Sequence, residues 1–338
     1  MQNPLQQWKN LLQQFSHLPK PEITQSAKTV VYQQDKIKLY HYTPLKKNTH
    51  AIPLLITFAL VNRPYILDLQ PDRSLIQALL QVGIDVYLLD WGYPTAEDKE
   101  LRLEDYILTY LHHSINFIKQ RSQQEKINLL GVCQGGTFSL CYSALYPENI
   151  NKLTTMVTPI DFHTDDNQLT ALVKNLDVAA LAKQYGNIPG WLLNQMFFSL
   201  KSPATHWLKY QKALSTMHDA EKTAHFLRME QWIFDTPDLA ANAFVQYVTQ
   251  LYQQNALIKG QFYLQNKKVD LKKITMPVFN IYAQQDDIVP ASASKCLEQY
   301  LSSTQYTSLA FDGGHIGIYA SKRAQLEVAP KIVDWLLK

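Results

Sequence analysis

The sequence predicts an α/β fold with a mostly parallel β-sheet, helices on both faces of the sheet and an inserted block of helices. Three observations predict it. Short runs of apolar residues, typical of strands buried on both faces, alternate with helical stretches along the chain. One run ends in a cysteine flanked by glycines. A long gap separates the strand that ends at residue 157 from the strand that begins at residue 278.

The strands and helices are expected to alternate regularly. Two strands surround a polar turn near the start of the sheet, at 28–31 and 37–42. Further strands are expected at 53–59, 84–90, 126–130, 153–157, 278–283 and 305–311, and the first three of these are expected to be buried. Helices are expected at 74–82, 103–119, 137–145 and 324–337.

The most informative stretch is LLGVCQGG at residues 129–136, which has the form G-x-C-x-G-G. It stands between a predicted strand and a predicted helix. This arrangement resembles the nucleophile elbow of the α/β-hydrolase fold, with cysteine in place of the usual serine. Gly131 and Gly135 suit such a turn because a Cβ atom at either position would collide with the crossing backbone. Cys133 is therefore the candidate nucleophile; the alternative is a buried structural cysteine beside a tight turn.

In this fold an acid and then a histidine follow the nucleophile along the chain, in loops after later strands. Asp286 follows the strand at 278–283, and His315 follows the strand at 305–311 among glycines. The histidine would take the thiol proton, and the acid would hold its ring in the required tautomer. Asp287 is the competitor for the acid. Three other carboxylates come too early in the chain for this role: Asp161, Asp165 and Asp166.

Two backbone N–H groups are expected to form the oxyanion hole for the tetrahedral intermediate of acyl transfer. One belongs to Gln134, the residue after the candidate nucleophile. The other should come from the loop after the strand at 53–59, with Val61 as the assigned donor. Cys133 would also stand at the N-terminus of a helix, whose dipole favours a thiolate anion.

The chain is expected to form a core with two additions. Residues 29–159 and 256–338 make up the core, and residues 160–255 form a helical cap over the active site. Residues 1–28 carry apolar side chains at helical spacing, which predicts an amphipathic segment that packs on the body or on a partner. The aromatic residues of the cap are interpreted as its own core: Trp191, Phe197, Phe198, Trp207, Phe226, Trp232 and Phe234.

Composition and charge exclude several classes of protein. Hydrophobic residues make up 46% and charged residues 18% of the chain, as in a globular protein with a sizeable core. The net charge is +3 without a long Lys/Arg run, so no nucleic-acid partner is expected. No transmembrane helix is expected, and the polar N-terminus lacks the apolar core of an export signal.

The cysteine count also limits the chemistry. Three cysteines, an odd number, argue against a disulfide framework and for a reducing compartment. No Cys/His spacing resembles a zinc site, so no metal is expected. Cys141 and Cys296 are interpreted as structural.

A cysteine in this turn favours acyl transfer over ester hydrolysis. Attack of a thiolate on a thioester gives another thioester at little change in free energy, so the acyl group stays activated. Transfer to an alcohol is then downhill, because an oxygen ester is more stable than a thioester. The residues alone therefore favour transfer of an acyl group from a thioester to a hydroxyl.

Seven segments of the sequence carry a family resemblance: PLLITFALVNRPYILDLQP (53–71), DVYLLDWGYP (85–94), LLGVCQGGTFSLCYSALYPE (129–148), MVTPIDFHT (156–164), FLRMEQWIFDTPD (226–238), NIYAQQDDIVPASAS (280–294) and GGHIGIYAS (313–321). The resemblance covers the chain from about residue 30 to its end. Together the segments resemble the catalytic subunit of polyhydroxyalkanoate synthases, most closely the class III type with two different subunits.

The resemblance implies a polyester synthase that polymerises (R)-3-hydroxyacyl-CoA, mainly 3-hydroxybutyryl-CoA. CoA would be the leaving group, and no cofactor would be needed. Cys133 would be the nucleophile and His315 would activate it. Asp286 would either orient His315 or help to activate the substrate hydroxyl. Asp68 would brace the loop that carries the second oxyanion donor, or would cap a helix.

The resemblance also implies partners and a location. The family's class III members need a second, non-catalytic synthase subunit, so a homodimer or a hetero-oligomer is expected. The growing polyester would keep the enzyme on the surface of a cytoplasmic granule.

Two other functions remain open from the sequence. The first is a cysteine-type esterase or thioesterase of the same fold. The second is a non-catalytic granule-associated protein, which the N-terminal segment keeps open and which the intact Cys133, Asp286 and His315 set disfavours.

Overall fold

A computed structural model describes residues 22–23, 26–46 and 50–338 of the chain. Its central feature is an eight-stranded sheet, beside which lie two small two-stranded sheets. The strands are β1 (Lys28–Gln34), β2 (Ile37–Tyr42), β3 (Leu54–Thr57), β4 (Asp68–Gln70), β5 (Arg73–Ser74), β6 (Val86–Asp90), β7 (Ile127–Val132), β8 (Ile150–Met156), β9 (Tyr263–Leu264), β10 (Lys267–Lys268), β11 (Val278–Ala283) and β12 (Tyr306–Phe311).

Helices connect most of these strands. The α-helices are α1 (Leu75–Gln81), α2 (His112–Ser122), α3 (Gln134–Leu145), α4 (Gln168–Val173), α5 (Val178–Tyr185), α6 (Gly190–Ser199), α7 (Pro203–Ser215), α8 (Ala220–Phe234), α9 (Ala241–Tyr247), α10 (Ala291–Lys295), α11 (Gly317–Ala320), α12 (Lys322–Glu327) and α13 (Ala329–Leu337). Among the described residues, no helix is both long enough and apolar enough to cross a membrane.

The strands of the large sheet lie in the order β1-β2-β6-β3-β7-β8-β11-β12. β2 pairs in antiparallel fashion with β1 and β6, whereas all pairings from β6 to β12 are parallel. The central strands β3, β6 and β7 are buried along their whole length. This burial explains why they read as unbroken apolar runs, and the predicted α/β fold is confirmed.

The sheet separates two apolar cores, because successive side chains of a strand point to opposite faces. On β7, Leu129 belongs to one core and Leu130 to the other; on β3, Leu55 and Ile56 divide in the same way. α3 contributes to the first core, and α1 and α13 contribute to the second. Both faces of the sheet are therefore covered, and the carboxyl ends of its parallel strands are left to hold a site.

Two predicted helices differ from those observed. The closing helix, predicted over 324–337, is interrupted at Val328. Pro330 explains the break, since proline lacks an N–H and its ring clashes with the carbonyl four residues earlier. The helix predicted over 103–119 begins as a π-helix at Asp105–Leu111 and continues as α2.

Between β8 and β11 the chain forms α4 to α9 and the β9–β10 hairpin. The aromatic residues of this region do not all form a core, as the sequence suggested. Trp232 is buried, but Trp191, Phe198 and Phe234 are 59%, 37% and 64% exposed. On α6, Leu193 is buried and Leu192, Met196 and Phe197 are half-buried against the core, so Trp191 and Phe198 are the aromatic side chains that this helix leaves at the surface.

The amphipathic segment predicted at the N-terminus lies largely outside the described residues. Its described residues, 22–23 and 26–28, contain no helix, and β1 begins at Lys28.

A buried polar network joins three neighbouring strands below the candidate site. The side-chain oxygen of Asn280 on β11 accepts a hydrogen bond from the Thr155 hydroxyl of β8 at 2.9 Å. Its amide nitrogen donates to the Ser294 carbonyl at 2.9 Å and to the Tyr306 hydroxyl at 3.0 Å. Asn280 has no solvent-exposed surface, so these three bonds have no water to replace them.

We expect Asn280→Ala to destabilise the fold by about 2–4 kcal/mol, because it leaves the buried Thr155 hydroxyl without its partner and removes two further hydrogen bonds of the network. Urea unfolding would measure the change. Ser308→Ala is the matched control, since Ser308 is the exposed register partner of Asn280 on β12. It should change the stability by less than about 0.5 kcal/mol. Equal losses in the two variants would contradict the role given to the network.

Candidate active site

Cys133 lies in a sharp turn between β7 and α3. Its backbone has φ 54° and ψ −127°, a conformation that residues other than glycine rarely adopt. α3 begins at Gln134 rather than at the predicted Thr137, because the helix starts directly after this turn. This strained backbone conformation of Cys133 places its thiol at the carboxyl edge of the sheet.

Glycines allow this turn because backbone segments approach each other so closely there that a side chain would not fit. A Cβ atom on Gly131 would lie 2.5 Å from the Cα atom of Gly136. A Cβ atom on Gly135 would lie 2.5 Å from the carbonyl oxygen of Phe58, in the loop after β3. The turn expected from the G-x-C-x-G-G pattern is present, and the steric reason given for its glycines holds.

The structure brings Asp286 and His315 together. Nδ1 of His315 lies 2.7 Å from Oδ2 of Asp286. The other carboxylate oxygen accepts hydrogen bonds from the backbone N–H groups of Ile288 and Val289, at 2.9 and 2.8 Å. These two amides fix the carboxylate so that one oxygen faces the imidazole.

The competing carboxylates lie elsewhere. Asp287 forms an ion pair with Lys201 at 3.1 Å, and its side chain is 47% exposed. Asp161 accepts a hydrogen bond from the Asn255 amide at 2.8 Å. Asp166 accepts one from the Ser292 hydroxyl. No hydrogen bond within the described ranges joins Asp287 or any of the three earlier carboxylates to His315.

The imidazole of His315 contacts Asp286 through Nδ1, and Cys133 lies near enough for its charge to act on the ring. Burial of the ring opposes its protonation. The negative charges of Asp286 and Cys133, together with the hydrogen bond to Asp286, outweigh this effect and raise the pKa of His315 to about 10. The site therefore favours the protonated form of the imidazole at neutral pH.

Three tyrosines that the sequence analysis did not select surround the thiol: Tyr247, Tyr252 and Tyr319. Tyr247 and Tyr319 are buried. Burial raises the pKa of all three phenols, and the nearby negative charge of Cys133 raises it further. The Tyr319 ring packs edge-on against His315, with 6.4 Å between the ring centres. The phenols near Cys133 therefore stay neutral.

These tyrosines could not be distinguished in the sequence, since the chain has 19 tyrosines. The available signal is weak. Tyr319 lies four residues after His315, and Tyr247 and Tyr252 are close together in the inserted region.

The two N–H groups assigned to the oxyanion hole are free of other acceptors. Among the described residues, neither the Gln134 N–H nor the Val61 N–H has a recorded acceptor. The Leu60 N–H, by contrast, donates to Oε1 of Gln134 at 2.9 Å. Within this loop, Val61 is therefore a better candidate donor than its neighbour Leu60.

Asp68 is fully buried and lies in the β4–β5 hairpin. It accepts hydrogen bonds from the Ser74 hydroxyl at 2.6 Å and from the backbone and side chain of Ser26. Ser74, rather than Asp68, caps α1, by accepting a hydrogen bond from the Gln77 N–H. Asp68 thus holds the capping serine and the chain before β1; none of its recorded contacts in the described ranges reaches Val61.

The other two cysteines have different surroundings. Burial raises the pKa of the Cys141 thiol well above its ordinary value, and it raises that of Cys296 to about 11. All three cysteines are free thiols. Within the described part of the chain, no group of three or more His, Cys, Asp or Glu side chains is arranged to hold a metal ion.

Solved structures of other proteins share this fold. A chain from a study of the lipolytic enzymes LipS and LipT matches with a TM-score of 0.54 and 12% identity, over 86% of this chain and 94% of that one. A monoacylglycerol lipase from Paleococcus ferrophilus matches with a TM-score of 0.53 and 18% identity, over 85% and 95%. A family model described as alpha/beta hydrolase fold matches residues 63–320. These likenesses confirm the α/β-hydrolase fold.

More similar relatives carry one name. The poly(3-hydroxyalkanoate) polymerase subunit PhaC of Allochromatium vinosum is 50% identical over 313 residues, which is 92% of this chain and 88% of that one. The PhaC subunit of Thiocystis violacea is 48% identical, over 92% and 88%. That of a Synechocystis strain is 46% identical, over 92% and 84%.

A second family model, for the N-terminus of poly-beta-hydroxybutyrate polymerase (PhaC), matches residues 20–79. The family resemblance that the sequence motifs predicted is confirmed. This chain belongs to the PhaC family of poly(3-hydroxyalkanoate) polymerases, acyltransferase-type enzymes built on the α/β-hydrolase fold.

Proposed function

We propose that this protein polymerises (R)-3-hydroxyacyl-CoA, chiefly (R)-3-hydroxybutyryl-CoA, into a polyester and releases CoA, with Cys133 as the covalent acyl carrier. The observation that carries the proposal is the hydrogen-bonded pair of Asp286 and His315, held near Cys133 at the elbow of a PhaC family member.

In the first step, the Cys133 thiolate attacks the carbonyl carbon of the acyl-CoA thioester. The oxyanion that forms accepts hydrogen bonds from the N–H groups of Gln134 and Val61, each worth about 3 kcal/mol of barrier. When the bond to the CoA sulfur breaks, protonated His315 gives its proton to the leaving thiolate. The products are an acyl-cysteine and free CoA, and no bond energy is lost because one thioester replaces another.

In the second step, a hydroxyl group attacks the acyl-cysteine carbonyl carbon. His315, now neutral, takes the hydroxyl proton, an ester bond forms and the carbon–sulfur bond breaks. The Cys133 thiolate and protonated His315 are regenerated together. The chain grows by one monomer, and the ester product is more stable than the thioester it came from.

Asp286 orients His315 in this mechanism. Its 2.7 Å contact with Nδ1 leaves Nε2 for the thiol and the substrate. Two backbone amides occupy its second oxygen, so the carboxylate has little capacity to take a proton from a substrate hydroxyl as well. Orientation is therefore the role that the geometry supports.

The remaining expectations follow from the same proposal. Residues 160–255 would act as a cap that controls access to Cys133, and neutral tyrosines would keep water from the acyl-cysteine. The protein would work with a non-catalytic synthase subunit, as a homodimer or hetero-oligomer, at the surface of a cytoplasmic polyester granule. CoA is a product, so the reaction needs no resident cofactor.

Cys133→Ala should reduce CoA release from (R)-3-hydroxybutyryl-CoA by ~10³-fold or more, because it removes the group that forms the acyl-enzyme. Free thiol and insoluble polyester would be measured together in the purified protein. Cys141→Ala is the control, because Cys141 lies buried on α3 away from the imidazole, and its activity should stay within about twofold of the wild type. Equal loss in both variants would show that Cys133 was the wrong choice.

The same assay separates the proposed function from hydrolysis. Wild-type protein should release CoA and form polyester in step with each other, and adding a candidate second synthase subunit should raise both rates. If the wild type releases CoA but forms only the free hydroxy acid, the protein is a thioesterase.

The raised pKa of His315 predicts a pH dependence. Its imidazole should remain protonated above the ordinary histidine pKa of ~6.5 and lose its proton near the raised value, so the ion pair persists through neutral pH. Asp286→Asn should lower the pKa of His315, because one of the negative charges that oppose the effect of burial is removed. NMR of labelled histidines would follow the titration.

Asp287→Asn is the matched control for this titration. Asp287 is the next residue in the chain but pairs with Lys201, so its neutralisation should leave the pKa of His315 unchanged. An unshifted His315 titration in Asp286→Asn would contradict the electrostatic role given to Asp286.

A further inference from the structure

The loop after β3, residues 58–63, is fixed at several points to the core. The Phe58 carbonyl accepts a hydrogen bond from Nε1 of Trp91 at 2.8 Å. The Leu60 N–H donates to the Gln134 side chain at 2.9 Å. Arg63 forms an ion pair with Asp90 at 2.6 Å. These contacts hold the two ends of the loop, with Val61 and Asn62 between them.

The middle of the loop is fixed to a different part of the molecule. Asn62 has a left-handed backbone, with φ 60°, and its side-chain amide donates to three acceptors at the C-terminal end of α8. The acceptors are the carbonyls of Trp232 and Ile233, each at 3.2 Å, and the Thr236 hydroxyl at 2.8 Å.

A return hydrogen bond completes this connection. Nε1 of Trp232 donates to the Arg63 carbonyl at 2.6 Å, and the indole is 4% exposed. Asn62 and Arg63, the two residues that follow Val61, are therefore bonded to α8, which belongs to the inserted helical region rather than to the sheet.

We propose that Asn62 and Trp232 are positioning residues, through which α8 sets the place of the Val61 N–H as oxyanion donor. The inference rests on the proposed function, since it concerns the same acyl transfer. A donor is effective only where its N–H points at the developing oxyanion. A small displacement of the loop therefore reduces the stabilisation of the transition state more than it reduces the affinity for the substrate. A movement of α8 would thus change the rate of acylation without any change at Cys133 or His315.

Asn62→Asp and Trp232→Phe test the connection. Aspartate keeps the side-chain shape and tolerates a left-handed backbone, but it replaces the donating NH2 by an oxygen that faces two carbonyls. Phenylalanine keeps an aromatic side chain but lacks the N–H. Each variant should lower kcat for CoA release from (R)-3-hydroxybutyryl-CoA by at least ~10-fold and change KM by less than ~3-fold.

Alkylation of Cys133 by iodoacetamide separates a positioning role from a merely structural one. A general disturbance of the site would change the alkylation rate. This reaction displaces iodide from a saturated carbon and forms no oxyanion, so its rate should stay within about twofold of the wild type in both variants. Tyr93→Phe is the control. It removes another hydrogen bond between the core and the segment after α8, from the Tyr93 hydroxyl to Asp235 at 2.7 Å, and should leave both rates unchanged.

The outcomes separate the alternatives. A parallel fall of alkylation and CoA release would overturn the proposal, since the variants would then disturb the nucleophile itself. Unchanged CoA release in both variants would also overturn it. Failure of the proposed function would be visible in the wild type, as absence of polyester, whereas failure of this inference is visible only in the variants.

Discussion

The site depends on one steric constraint, the close packing of the first turn of α3 against the ends of β3 and β8, the two strands that flank β7. Gly135 lies so near the Thr57 and Phe58 carbonyls that no side chain fits there, and Gly136 meets Thr158 after β8 in the same way. The Thr57 hydroxyl adds hydrogen bonds to the Gly135 carbonyl and the Ser139 hydroxyl. Because of this packing, the loop after β3 must pass beside the nucleophile. The position of the loop after β3 relative to Cys133 is therefore fixed by contacts between the two segments, and neither segment could set it alone.

The charges of the site follow from its burial. The carboxylate of Asp286 is buried, and a buried charge is tolerated only with nearby hydrogen-bond donors. The backbone supplies these donors to Asp286 through Ile288 and Val289, and the helix dipole of α3 favours the anion at Cys133. The surrounding tyrosines stay neutral because burial and the thiolate both oppose their ionisation. In the proposed mechanism, proton transfer is thus confined to the substrate and His315, and Asp286 only holds the imidazole in place.

Much of this arrangement could be predicted from the sequence, because its determinants are local. The elbow is specified by one short run of consecutive residues. Asp286 and His315 follow predicted strands whose carboxyl ends must meet at one edge of the sheet. Contacts between distant segments could not be predicted. Asn62 and Trp232 are far apart in the chain, and no sequence pattern around either residue indicates that the two segments are in contact. The exposure of Trp191 and Phe234 was missed for a related reason: apolar spacing shows that a helix has an apolar face, but not whether anything covers it.

The triad geometry by itself does not separate a polymerase from a hydrolase, since lipases of the same fold are structural neighbours. Two further features of this chain bear on the difference. The first is sulfur at the elbow, which in the proposed reaction would keep the acyl group at the energy of a thioester until an alcohol takes it. The second is the group of tyrosines near Cys133, which would favour a chain-end hydroxyl carried on an apolar polyester over a free water molecule. If α8 also sets the oxyanion donor, acylation proceeds only with the cap in place over the site, when water is excluded. Rate and selectivity would then depend on the same contact between the cap and the loop after β3.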